Sequence, residues 1–593
     1  MIAHAAPAGY RPIAQLLVLT HPTVLTWHQR LVQYVLMRSR RGVILIVVMV
    51  VIVVLTLSVF AFSKFMMAQR KGSNTALRQT QVRLLAESGV EYLRVMLLKD
   101  QYTILYVGGL YDNPDLFCGH VITDGTIGMT GWGAGKQTSL GREDPRDIGR
   151  FSVVAPTLSE DGILTGEYIR YGLEDESTKL NLRWVLQVDL DQPGYGRLIL
   201  MRLPGVTEDI ADSILDWIDG SSYDPREYGA KDEYYMSLDP PYYTRMGIPD
   251  SLDELLLVRG VTPKLLYGID WNRNGIIDLG EPDEFTLDEY DVTDGSLNLG
   301  LISYLTLDSR ESMLTPEGYR KINVNLEDLE ELRTLLEETE VFEDSWIDYI
   351  ISFRQNTGQQ AEQSNDASVG DIVSGLLGGG TTGATTTNTD GKINSLLDLV
   401  GGTGSPFADD PDEMNEYGPI LYDYLTISDT PIVGRININQ ASRTVLELFV
   451  GQEDELTDAA ITSAEVSDAL LGTTLTEMNA WDIIDGIIAW RETNPSFIEY
   501  PEMHYPFWVY THGIITDLAV MKQFEPYFCT QGAVFKATVI GRFDAQSPVS
   551  RMEVWLDASE GGKPAKIIRI RDISDLGPGY SAELLGADEL FAR

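Results

Sequence analysis

The chain runs to 593 residues, 44% of them apolar, enough for several packed units and too much for a single small module. Its 88 Asp and Glu outnumber its 45 Lys and Arg, and a net charge of -43 repels nucleic-acid phosphates and attracts divalent cations, besides serving plain solubility. The charge is segregated, because no acid stands before Glu87 whereas ten of the basic residues do.

In chain order, the first strong feature is Val43 to Phe62, an uncharged run of twenty residues, about the length a helix needs to cross a bilayer. It exceeds the apolar core of a usual secretory signal and no A-x-A-like cleavage site follows, so a retained single span is expected. Flanking charge gives little orientation, since Arg30, Arg38, Arg40 and Arg41 are nearly matched by Lys64, Arg70, Lys71 and Arg78. The large acidic remainder favours a cytoplasmic amino terminus with the main domain outside. Leu77, Leu84, Leu85, Ser88, Tyr92 and Val95 fall near helical spacing, so 43–100 reads as a transmembrane and stem helix.

Just before the span stands Met37-Arg38-Ser39-Arg40-Arg41-Gly42, which resembles a type IV prepilin leader. The resemblance implies that prepilin peptidase cuts after Gly42, that Val43 is the first mature residue, and that 1–42 is leader. Such leaders are short, so residues 1–36 read as an over-long start ahead of Met37. Most prepilins carry glutamate at mature position five, where this chain has Val47. A carboxylate inside the bilayer costs about 2.5–3.5 kcal/mol unless neutralised, and in pilin-like filaments it pairs with the amino terminus of a neighbouring subunit. A subunit at the tip has no neighbour ahead of it. Absence of the acid is the pattern of minor pseudopilin K of type II secretion systems, which the chain resembles.

Residues 101–190 contain strand-like runs such as Phe151–Val154 and Gly166–Tyr171 and are expected to form the first part of a pilin-like sheet. A motif then recurs three times, as Lys179-Leu180-Asn181, Lys321-Ile322-Asn323 and Arg435-Ile436-Asn437, each ahead of a helical pattern that Asn can cap. It divides the chain into a helical domain at 191–320, a second repeat at 321–430 and a third at 431–530. Leu203-Pro204-Gly205 and Val258-Arg259-Gly260 match the turn of helix-hairpin-helix modules, whose exposed amides can hold phosphate. Glu208, Asp209, Asp212, Asp216 and Asp219 argue against nucleic acid. The order of these pieces resembles protein K, implying a sterile α-motif (SAM)-like helical domain for protein contacts. Within the second repeat, 355–415 is a low-complexity loop or linker around Gly378–Thr387. Strands at 534–540, 550–556 and 566–570 complete the sheet in the segment 531–593.

One segment carries specific chemistry. Asp270, Asn272, Asn274, Asp278 and Glu281 put side-chain oxygens at positions one, three, five, nine and twelve of a loop. Gly275 stands at six and Ile276 offers its carbonyl at seven, which is the EF-hand pattern for calcium. Two neutral Asn ligands predict modest affinity and a structural role, of order 10⁻⁴ to 10⁻³ M. A second acidic group, Asp216, Asp219, Asp224, Asp232 and Glu233, reads as a solvated face rather than another ion site. Cys118 and Cys529 either form one disulfide, if their compartment is oxidising, or stay unpaired and buried. No P-loop, G-x-S-x-G or H-E-x-x-H is present, and His504 and His512 lie in an aromatic stretch where packing is expected, so the chain reads as a non-enzyme.

These readings give an α+β fold: an N-terminal transmembrane and stem helix, a pilin-like antiparallel sheet, and a large inserted helical domain of helix-hairpin-helix and SAM-like type. By the resemblance, the protein is a single-pass inner-membrane subunit with its domain in the periplasm, capping a pseudopilus. Its partners would be other minor pseudopilins and pseudopilus subunits, prepilin peptidase, and the secretin or exported substrates, with calcium as cofactor. The rivals are a minor type IV pilin with an adhesive role and an independent calcium-binding envelope protein with a signal anchor.

Overall fold

A computed structural model describes residues 27–122, 148–281, 294–363, 392–402, 404–449, 480–493, 501–544 and 546–586. The chain divides into two compact units, one up to Leu77 and one from Arg78. The first unit holds most of a helix that spans Trp27–Met96 and has no breaker in its β-branched run. Ile44–Phe62 are all exposed, an apolar surface of the kind that lipid solvates. Among the described residues this is the one helix long and apolar enough to cross a membrane.

In the second unit the same helix buries Val82, Ala86, Val90 and Leu93, a stripe at intervals of four, four and three that makes one face. That face lies on the sheet, and two glycines allow the close approach. A Cβ on Gly89 would stand 2.6 Å from Val539 Cγ1 and one on Gly541 would stand 2.2 Å from the Val82 carbonyl. The sheet follows the order β1 (His120–Ile122), β2 (Gly149–Pro156), β11 (Val534–Arg542), β12 (Ser550–Asp557) and β13 (Lys566–Asp572), antiparallel throughout. Alternation decides the faces: Val153 and Val539 enter the core shared with the helix, while Val154 and Ile540 enter a smaller cluster on the other side. Two short strands join this sheet, β3 (Ile169–Arg170) on β2 and β4 (Glu174–Asp175) on β11, with Asp175 opposite Phe535 and Glu174 opposite Lys536.

Everything from Glu176 to Ala533 is thus an excursion that leaves the sheet at β4 and returns at β11. It is organised by the recurring motif. The strands β5 (Leu180–Asn181), β7 (Ile322–Asn323) and β9 (Ile436–Asn437) each open a repeat. Each pairs in parallel with the strand closing that repeat, respectively β6 (Leu305–Thr306), β8 (Leu425–Thr426) and β10 (Phe528–Cys529). The motif asparagine does the same thing three times. Asn181 Oδ1 accepts from the Arg183 N–H at 2.9 Å, Asn323 from Asn325 at 2.8 Å and Asn437 from Asn439 at 3.0 Å, which turns the chain out of the strand. One continuous apolar core runs through all three repeats, from Leu180 to Phe528.

Two boundaries differ from the sequence reading. Helix Leu182–Asp191 begins inside the stretch 101–190 expected to be sheet, and Leu182 and Val185 are buried in the helical core, because the motif strand at 180 already belongs to the first repeat. The linker at 355–415 is also narrower than expected, since Leu396, Leu397, Leu399, Val400 and Phe407 are buried there. Its glycine- and threonine-rich centre lies outside the described residues.

Candidate functional site

The 270–281 loop follows the short helix Pro263–Tyr267, whose end is fixed by Gly268 at φ 68°. Gly275 adopts φ 73°, the left-handed turn that position six requires. Asp270 is buried and its two oxygens accept from the backbone of Asn274 at 3.1 Å and Gly275 at 2.8 Å, tying the first residue to the turn. Glu281 folds back over the loop, accepting from Trp271 N–H at 3.0 Å and Asp278 N–H at 2.9 Å with its separate oxygens. Asn272 and Asn274 both donate from Nδ2 to Asp278 Oδ2, at 2.9 and 2.7 Å, and Ile276 N–H donates to Asn274 Oδ1 at 2.8 Å. Hydrogen bonds within the loop thus tie Asp270 to Asn274, and Asp278 to Asn272, Asn274 and Glu281.

Burial pushes the Asp270 carboxyl up to about 6, with Glu281 adding to the effect against the hydrogen bonds from Gly275 and Asn274. Asn272 Oδ1 is buried without a hydrogen-bond partner while its amide nitrogen serves Asp278. Such an orphaned acceptor among oxygen ligands suits a hard cation, and so does a donor set made of carboxylates, amides and a carbonyl. Among the described residues, no group of three or more His, Cys, Asp or Glu gathers closely enough to hold a metal on its own. The carboxylates here are interleaved with amides, and the amide donors stand where a cation's charge would otherwise be needed.

The loop is also held from outside by residues that the sequence did not point to. Arg551, fully buried on β12, donates from Nη1 to the Asn272 carbonyl at 2.9 Å and from Nη2 to the Arg273 carbonyl at 2.7 Å. Tyr580 Oη donates to the Asn274 carbonyl at 2.6 Å, and Asn274 Nδ2 donates to the Gly579 carbonyl.

The second acidic group departs from the solvated face expected of it. Asp212, Asp216 and Asp219 are buried. Arg226 reaches Asp189 at 2.7 Å, Asp216 at 2.9 Å and Asp219 at 3.2 Å, and Arg197 reaches Asp212 at 2.9 Å. Burial raises the Asp216 carboxyl even so, with Arg226 opposing. Asp224 and Glu233 are exposed, and Asp232 accepts from the Thr244 N–H at 2.8 Å. Helix Glu208–Ile218 carries Glu208 and Asp209 in its first turn, where their charge occupies the dipole end that a phosphate would use.

A third charged group joins the excursion to the sheet. Buried Lys179 bridges Glu174 at 3.1 Å and Glu176 at 2.9 Å, and Lys536 of β11 bridges Glu174 at 3.3 Å and Glu553 at 3.2 Å. Asp175 accepts from Asn437 Nδ2 and from Gly532 N–H, both at 2.8 Å, so the third repeat is fastened at the same point.

No disulfide joins Cys118 to Cys529: Cys529 is buried in β10 and Cys118 is partly exposed beside the Leu584 carbonyl. His512 packs 4.3 Å from the Trp490 ring and His504 meets Gln101. Gly42 and Val43 lie within helix Trp27–Met96.

Residues 178–269 match the family model described as type II secretion system (T2SS), protein K. A type II secretion system protein K of Aeromonas hydrophila is 45% identical over 56 residues, which cover 9% of this chain and 17% of that relative. The matched region runs from the motif strand β5 through the Arg226 group and stops one residue short of Asp270.

Proposed function

From the protein K signature in the first helical repeat, we propose that this chain is a non-catalytic minor pseudopilin of a type II secretion system. The observation that carries the proposal is that signature at 178–269, downstream of an apolar helix long enough to span a bilayer. The helix holds the subunit in the inner membrane, with the sheet as a pilin-like domain and the helical repeats as a SAM-like elaboration on the periplasmic side. Val47 leaves the subunit without the intramembrane carboxylate that would pair with a neighbour ahead of it, and the three-repeat excursion is too bulky to recur along a packed filament, so the subunit caps the tip. Its partners are the other minor pseudopilins, and prepilin peptidase matures it between Gly42 and Val43.

Loop 270–281 holds calcium through Asp270, Asn272, Asn274, the Ile276 carbonyl, Asp278 and Glu281. The ion supplies positive charge that settles three carboxylates in one place, which makes its role structural.

The assignment is tested by expressing the chain with prepilin peptidase and sequencing the mature amino terminus, which is expected to begin at Val43. An intact leader, together with failure to co-purify with any minor pseudopilin, sinks the assignment. The metal reading is tested by calorimetric titration of calcium into wild type and Glu281→Ala, where only the wild type should bind.

A further inference from the structure

The loop is built at a seam between two cores, and its adjacent isoleucines divide between them. Ile276 packs against the sheet-side cluster of Val154, Ile540, Tyr580 and Leu585, whereas Ile277 packs against the helical core. Ile277 N–H also donates to the Gly166 carbonyl at 2.8 Å, and a Cβ on Gly275 would lie 3.4 Å from Pro156 of β2.

Three successive loop carbonyls are taken by donors from the sheet side: Asn272 and Arg273 by Arg551, and Asn274 by Tyr580. Arg551 makes no ion pair among the described residues. Its other hydrogen bond is to the Gly577 carbonyl at 3.3 Å, and its guanidinium lies 5.4 Å from the centroid of the Tyr580 ring. The two Nη atoms of this buried guanidinium donate only to carbonyls, its Nε having no partner among the described residues, and so fix the direction of those carbonyls. With those three oxygens turned toward the sheet, the Ile276 carbonyl and the side-chain oxygens at positions one, three, five, nine and twelve are left to meet an ion.

We infer that Arg551 and Tyr580 are positioning residues for the cation loop, so that calcium binding and the docking of segment 577–586 on the helical region are one coupled equilibrium. This rests on the calcium reading above. The coupling is reciprocal by thermodynamic necessity: whatever the sheet contributes to calcium affinity, calcium returns as stability of the seam.

The test uses the full chain in detergent, with calcium alone as probe. Losing one buried hydrogen bond in Tyr580→Phe should weaken calcium binding about fivefold, and Arg551→Met more, although none of the loop's own ligand residues is altered. Calcium should slow amide exchange at 577–586 in the wild type and leave it unchanged in Glu281→Ala, an effect that general stabilisation of the sheet would not confine to this segment. Tyr580→Phe guards the test against misfolding of the arginine variant. If the wild type binds calcium, but Tyr580→Phe binds as tightly and exchange at 577–586 ignores the ion, the coupling is refuted while the calcium site stands. If the wild type takes up no calcium, both are refuted.

Discussion

Asp189, Asp212, Asp216 and Asp219 are buried with arginine against them, whereas Asp270, Asp278 and Glu281 share one loop with no Lys or Arg within 4.0 Å among the described residues. In the amino-acid sequence both are acidic runs of similar density. The first is ion-paired by its own means, because Arg226 folds back across ten residues onto helix Glu208–Ile218 and beyond it to Asp189. The second has only amides and backbone N–H groups to offer its carboxylates. Acid count alone does not tell a metal loop from an ion-paired core; the position of one basic residue does.

The largest effect should come from breaking the ion-paired group. Arg226→Met strips three buried carboxylates of their guanidinium and should cost about 3–5 kcal/mol, read as a lowered denaturation midpoint that calcium does not restore. The opposite behaviour is expected of the loop. Saturating calcium at a hundred times its dissociation constant should stabilise the wild type by about 2.7 kcal/mol, and chelation should remove that increment, with Glu281→Ala showing neither change.

The joint at Glu174 sharpens the contrast with a third arrangement, in which lysines do the neutralising. Burial alone would raise this carboxyl, but Lys179 and Lys536 hold it at about 2, below its ordinary 4.5. A carboxyl depressed by folding stabilises the native state above its ordinary value and surrenders that stability as pH falls from 4.5 toward 2. Acid unfolding followed by circular dichroism should therefore be shallower over that interval in Glu174→Gln. Smallest of all is Asn272→Asp. Adding one carboxylate to the loop should tighten calcium binding by about tenfold or less and lower stability slightly in chelator, measured by titration and melting of the same sample.

The three openings of the helical repeats were legible because a strand of alternating apolar residues ending in Asn is a local signal, and the hydrogen bonds of Asn181, Asn323 and Asn437 are themselves local. Their closing partners were not, being two-residue strands more than ninety residues away. A weaker signal was present in Tyr304-Leu305-Thr306 and Tyr424-Leu425-Thr426, which repeat each other. The 270–281 loop stood out as a candidate cation loop for the same reason of locality. Arg551 and Tyr580 were not, since nothing near them in the chain marks residues that will meet a loop 279 and 306 positions earlier. The solvated reading of Asp216 and Asp219 failed because the sequence shows an acid's neighbours along the chain and not the guanidinium that folds onto it.

The antiparallel pairing of Glu174–Asp175 with Phe535–Lys536 has an evolutionary meaning. Because departure and return occupy neighbouring rungs of one ladder, an ancestral sheet could acquire the whole intervening segment without changing its register, and could shed it the same way. Each repeat likewise enters and leaves at adjacent parallel strands, so duplication of one unit would lengthen the array while leaving the scaffold's strand order untouched.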